Sequence, residues 1–154
     1  MSFIITGLSP EEFQSLYDLP AAALAARGVV RRIADQRPGY PCRITLEDAA
    51  PGERVLLLNY ENHKAPTPYR SAYAIYVREG ASEARTFIDE IPPALRGRPL
   101  ALRHFDRQGM LIGASLVMDG AVGEAIVSAF EEPATDYIDA HNAAHGCFAA
   151  RIRR

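Results

Sequence analysis

Two short stretches concentrate the residues of this chain that could do chemistry. Arg37-Pro38-Gly39-Tyr40-Pro41-Cys42-Arg43 carries one cysteine in a turn stiffened by two prolines. His141-Asn142-Ala143-Ala144-His145-Gly146-Cys147 carries the other, with two imidazoles, in what reads as a hairpin tip. A chemical site is expected where these stretches meet.

Several uses of these residue types are open. Cys42, His141, His145 and Cys147 make a set that tetrahedral zinc accepts, but there is no C-x-x-C pair and Cys42 is distant in the chain. No metal is assigned on that spacing. Cys147 and His141 are the catalytic candidates. A thiolate needs a base or cation beside it and a group to orient that partner, here Asp139 or Asn142. Against this stands an inert, buried thiol. A disulfide between Cys42 and Cys147 is disfavoured in a reducing compartment.

The reading that ranks first is a pocket for a small polar or anionic ligand near Cys42, Arg43, Tyr69, Arg70, His141 and Cys147. Arg37, Arg43 and Arg70 flank proline-containing loops and offer guanidinium donors. Tyr40, Tyr60, Tyr69, Tyr73 and Tyr76 offer aromatic walls with hydroxyl tips. An enzyme using a Cys–His pair, with or without zinc, and an interaction module without a catalytic site are the alternatives. No phosphate-binding glycine loop, G-x-S-x-G, H-E-x-x-H or dinucleotide fingerprint occurs, and the carboxylates form no recognisable acid–base pair. Cofactor and oligomeric state are left open.

The elements that must position these groups follow from periodicity. Phe3–Thr6 reads as a first strand, and Ser9-Pro10-Glu11-Glu12 as a capping box opening a helix that Pro20 interrupts and Ala21–Arg27 resumes. Val29–Ala34 reads as a strand, Asp35–Pro41 as irregular, and Arg43–Leu46 as strand-like. Arg54–Tyr60 is apolar enough for a central strand covered on both faces, pairing with Ala72–Arg78 across a long loop. Gly80–Arg98 reads as a surface excursion with a short helix near Ala94. Leu100–Phe105 and Met110–Met118 read as partners. A helix follows over Asp119–Phe130, capped by Asp119-Gly120, and Thr135–Ala140 and Cys147–Ile152 form a last hairpin. Strands dominate and helices are grouped, which predicts a single α+β domain with a mainly antiparallel sheet.

With 154 residues, 48% of them hydrophobic, the chain can bury a core without disulfides or metals. Charge is nearly balanced, 17 basic against 19 acidic residues, so no footprint for nucleic acid or anionic lipid is present. The basic tail, Arg151, Arg153 and Arg154, reads as a solvated chain end. Lys64 is the only lysine, a bias that suits a GC-rich bacterial genome. No signal peptide or membrane span is evident, which predicts a cytoplasmic protein with reduced thiols.

Pro38-Gly39-Tyr40-Pro41-Cys42-Arg43, Leu57-Leu58-Asn59-Tyr60-Glu61, Pro68-Tyr69-Arg70 and His141-Asn142 with Gly146-Cys147-Phe148-Ala149-Ala150 together resemble a bacterial family, that of domain of unknown function 1203. The resemblance spans Phe3 to Arg154. It implies a bacterial single-domain protein and carries no catalytic residue or cofactor with it.

Overall fold

In the computed structural model, which describes residues 1–154, alternating apolar side chains build two antiparallel sheets. The strands are β1 (Ile4–Thr6), β2 (Val30–Ile33), β3 (Arg54–His63), β4 (Ser71–Arg78), β5 (Thr86–Ile88), β6 (Leu100–Phe105), β7 (Leu111–Val117), β8 (Tyr137–Asn142) and β9 (Phe148–Arg153). The helices are α1 (Ala21–Ala26) and α2 (Val122–Glu131). A six-stranded sheet runs β5-β1-β9-β8-β6-β7, and a three-stranded sheet runs β2-β3-β4. The fold is α+β with mainly antiparallel sheets. No helix is long and apolar enough to cross a membrane.

The two faces of the larger sheet have opposite characters. Leu100, Leu102, Ile138, Ala140, Ala150 and Ile152 join one core with Val122, Ile126, Ala129 and Phe130 of α2. Each large aliphatic side chain buried this way contributes roughly 2 kcal/mol. The intervening positions are polar: Arg103 lies opposite Asp139, Asp139 opposite Arg151, and Ala101 opposite His141. A second core of Phe13, Leu16, Leu24, Cys42, Ile44, Leu56, Ile75, Val77 and Phe148 joins the smaller sheet to the chain around it.

Several elements differ from expectation for physical reasons. The capping box at Ser9 opens only short 3-10 turns, Pro10–Glu12 and Gln14–Leu16, and the Ser9 side chain caps nothing. Burial of Phe13 and Leu16 against the smaller sheet outweighs a regular helix there. β3 is central in its own sheet, but Leu57 and Leu58 are only half-buried, so it is not covered on both faces. The strands around β8 carry the larger core instead. Within the expected surface excursion, β5 pairs with β1, and Ala94 and Leu95 are buried. Arg43–Leu46 forms no strand; it bends, with Leu46 at φ 56°.

The basic tail is solvated only in part: Arg153 and Arg154 are exposed, and Arg151 is not. Arg151 grips the fully buried Asp139 through Nε–Oδ1 at 2.6 Å and Nη2–Oδ2 at 2.8 Å. Its Nη2 also donates to the Asn62 carbonyl, tying the larger sheet to β3. Arg154 donates to the carbonyls of Phe130, Glu132 and Thr135, satisfying backbone acceptors at the end of α2.

Burial pushes the imidazole pKa values of His63, His104 and His141 below the ordinary 6.5. Each ring stays neutral in the fold while the unfolded chain takes up its proton. Below about pH 6.5 the unfolded state therefore binds more protons, and stability falls until the depressed folded pKa values are passed. Thermal melts should show a lower midpoint at about pH 5 than at about pH 7, and an unchanged midpoint would contradict this account.

Candidate functional site

The proline turn is held by a carboxylate that its own sequence supplies. Asp48 accepts from the Gly39 N–H at 3.1 Å and from both terminal nitrogens of Arg98, one of them at 2.9 Å. Burial alone would raise the Asp48 pKa. The Arg98 guanidinium and the Gly39 N–H outweigh it and hold the carboxyl below the usual range. The turn is further pinned by the Cys42 N–H to the Glu47 carbonyl and the Ala49 N–H to the Tyr40 carbonyl.

The next residue, Arg43, leaves the turn and crosses to the last hairpin. Its guanidinium donates from Nε to the Phe148 carbonyl at 2.8 Å, from Nη1 to the Pro41 carbonyl at 2.7 Å, and from Nη2 to Cys147 Sγ at 3.2 Å. Arg43 is 2% exposed and forms no ion pair with a carboxylate. Burial pushes its pKa down, while the Cys147 sulfur acts in the opposite direction.

The hairpin tip meets this arrangement from above. β8 runs through His141 and Asn142, so the connection is shorter than the sequence suggested. The Asn142 N–H donates to the Cys147 carbonyl, and the Gly146 N–H donates to the Asn142 carbonyl. Gly146 takes φ 78°, the left-handed value this tight reversal needs. The Asn142 side chain then gives Cys147 Sγ a second donor, Nδ2 at 3.2 Å.

Turn and tip together line one cleft of about 690 Å³. Pro38, Gly39, Pro41, Arg43 and Arg98 come from one side, and Asn142, Ala143, Ala144, His145 and Cys147 from the other. Leu57 of β3 and Tyr73 to Tyr76 of β4 complete the wall.

The remaining expected residues are dispersed. Cys42 is 1% exposed inside the second core, its sulfur accepting from the Arg78 N–H at 3.2 Å. Tyr69 packs edge-on to Phe105, and Arg70 pairs with Glu61 at the surface. Tyr60 lies between Phe13 and Phe148, while Tyr40 meets Tyr76 edge-on. His141 uses Nδ1 on the Gly146 carbonyl at 2.9 Å and makes no hydrogen bond to Cys147. Asp139 is occupied by Arg151. Both cysteines are free thiols, and no group of three or more His, Cys, Asp or Glu is gathered to hold a metal ion.

Asp48 and Arg98 do not stand out along the chain, where Glu47-Asp48 looks like ordinary turn charge. Their signal is tertiary: Arg98 lies 50 positions from Asp48. Asp48→Asn should cost about 2–3 kcal/mol in urea unfolding near neutral pH, because Arg98 and the Gly39 N–H lose a charged acceptor. Because the folded carboxyl pKa is depressed, that deficit should be full above about pH 4 and shrink as acid protonates the wild-type group.

No curated protein and no solved structure matches the chain. The family model described as "Protein of unknown function (DUF1203)" matches residues 39–154. That span contains every residue lining the cleft except Pro38. The chain belongs to the DUF1203 family.

Proposed function

We propose that this protein binds a small organic anion with an apolar body in the cleft between the proline turn and the hairpin tip. The observation that carries this reading is Arg43, a buried guanidinium in the cleft wall whose partners are carbonyl oxygens and a sulfur rather than a carboxylate. A buried cation without an anion is costly, and a ligand carboxylate or phosphate reaching its remaining N–H groups would offset that cost. Leu57, Ile75, Pro41 and Pro99 supply the apolar wall such a ligand's body requires. The near-balanced charge argues against nucleic acid as the partner, and a reducing cytoplasmic location suits a thiol in an open cleft.

A screen of carboxylate- and phosphate-bearing metabolites by thermal shift tests this reading. A true ligand should raise the wild-type melting temperature. Arg43→Lys, which keeps charge but loses the planar fork, should weaken binding about tenfold or more. Ala144→Trp, at an exposed tip position, should block the cleft while leaving the unliganded melting temperature in place. A ligand that stabilises both variants as well as the wild type binds elsewhere.

A second reading rests on Cys147, whose sulfur receives N–H donors from both Arg43 and Asn142 within the cleft. Such surroundings suit a nucleophilic sulfur, with Arg43 in the supporting place expected of His141, and Asn142, one of the two expected orienting groups, donating to the sulfur itself. Iodoacetamide should alkylate Cys147 in the folded protein, forming the S–C bond and releasing iodide, while the buried Cys42 reacts only after denaturation. A ligand occupying the cleft should slow that reaction. Labelling of neither cysteine before denaturation removes the nucleophile reading and leaves the binding reading standing.

A further inference from the structure

The polar face of the larger sheet ends in a second, smaller hollow of about 270 Å³, beside the end of β3 and the start of β4. Asn62, Ser71, Arg103 and His141 line it, and Tyr73 and His145 separate it from the larger cleft by bordering both. Polar groups in its wall lack partners.

Arg103 lies opposite Asp139 across β6 and β8, yet it makes no ion pair or hydrogen bond. Arg151 already holds both oxygens of that carboxylate, so the Arg103 charge is left over. Asn62, 8% exposed, uses Oδ1 to accept from the Ser71 hydroxyl at 3.3 Å, while its Nδ2 has no partner. His141, 2% exposed, faces the Gly146 carbonyl with Nδ1. A carbonyl only accepts, so Nδ1 carries the hydrogen, and Nε2 of the neutral ring is a lone pair without a partner. Burial first, with the charges of Arg103 and Arg43, favours the neutral ring; the Gly146 carbonyl and Asp139 oppose them.

Each buried polar atom left unpaired costs about 1–3 kcal/mol, so the hollow defines its occupant by what is missing. Arg103 needs negative charge, Asn62 Nδ2 needs an acceptor, and His141 Nε2 needs a donor. Water would meet the last two and hydrate the half-buried Arg103, but it supplies no countercharge. A metal cation would meet only the imidazole and be repelled by Arg103. We propose that the hollow is a subsite for an oxyanion that also carries an O–H group, as hydrogen phosphate and 2-hydroxycarboxylates do. Arg103 takes the charge, Asn62 Nδ2 donates to an oxygen, and His141 Nε2 accepts from the O–H. This inference stands independently of the reading of the larger cleft.

Calorimetric titration of the full chain at about pH 7.5 and constant ionic strength tests it with four probes. Inorganic phosphate and malate carry the O–H; sulfate and succinate do not. Phosphate should bind about tenfold or more tightly than sulfate, or malate than succinate, because the partner lacking the hydrogen leaves Nε2 facing a lone pair. Preference in the first pair alone identifies a phosphate site, and in the second alone a hydroxycarboxylate site. Arg103→Gln should lower that affinity at least about tenfold without moving the unliganded melting temperature, since Arg103 holds no other side chain or carbonyl. Ala144→Trp, which obstructs the larger cleft, should leave the titration unchanged. The proposal is overturned if no probe binds, if neither pair is discriminated, if Arg103→Gln binds as the wild type does, or if Ala144→Trp abolishes binding.

Discussion

Arg43 sits where the two sheets meet, its guanidinium out of water and shared between the Pro41 carbonyl, the Phe148 carbonyl and the Cys147 sulfur. Its backbone is equally committed, the N–H to the Tyr76 carbonyl and the carbonyl to the Leu8 N–H. One residue thereby joins the N-terminal segment, β4, the proline turn and β9. A cation in that position can be tolerated only with every nearby acceptor directed at it. That demand fixes where the turn can lie relative to the last hairpin, and the cleft is the space the two leave between them.

Charge on the polar face of the larger sheet follows the same logic with a different outcome. Asp139 is fully buried and would be intolerable alone; Arg151 meets it with two parallel hydrogen bonds and reaches on to β3. That pairing accounts for one arginine and one carboxylate. Arg103, a strand away, is surplus, and with the unpartnered atoms of His141 and Asn62 it leaves a charged, incompletely satisfied pocket. The apolar face beneath, packed on α2, keeps the register that holds these groups in place.

The two cysteines illustrate how one residue type divides by environment. Cys42 lies among Ile44, Leu56 and Val77, its sulfur accepting a single backbone N–H. Cys147 sits at the cleft wall with two side-chain donors on its sulfur, one of them cationic. Packing explains the first, and only the second has a cationic donor on its sulfur.

Much of the fold was legible along the chain. A near-continuous apolar run marks β3, alternation marks β4, and turn residues set off β6, β7 and the last hairpin; the stripe Val122, Ile126, Ala129, Phe130 marks α2. These signals are local, because alternation and helical spacing reflect which side of a single element faces the core. The short β5, the 3-10 turns after Ser9 and the split into two sheets left no such mark, since each depends on a partner far off in sequence. The same limit governs the candidate site. Residue types in the proline turn and the hairpin tip drew attention to two stretches. Only the tertiary structure decided that Arg43, rather than His141, meets Cys147, that Cys42 is sealed in the core, and that Arg151 claims Asp139 and leaves Arg103 unpaired. Charge pairing is a competition settled by distance in space, and the order of residues along the chain does not encode which arginine arrives first.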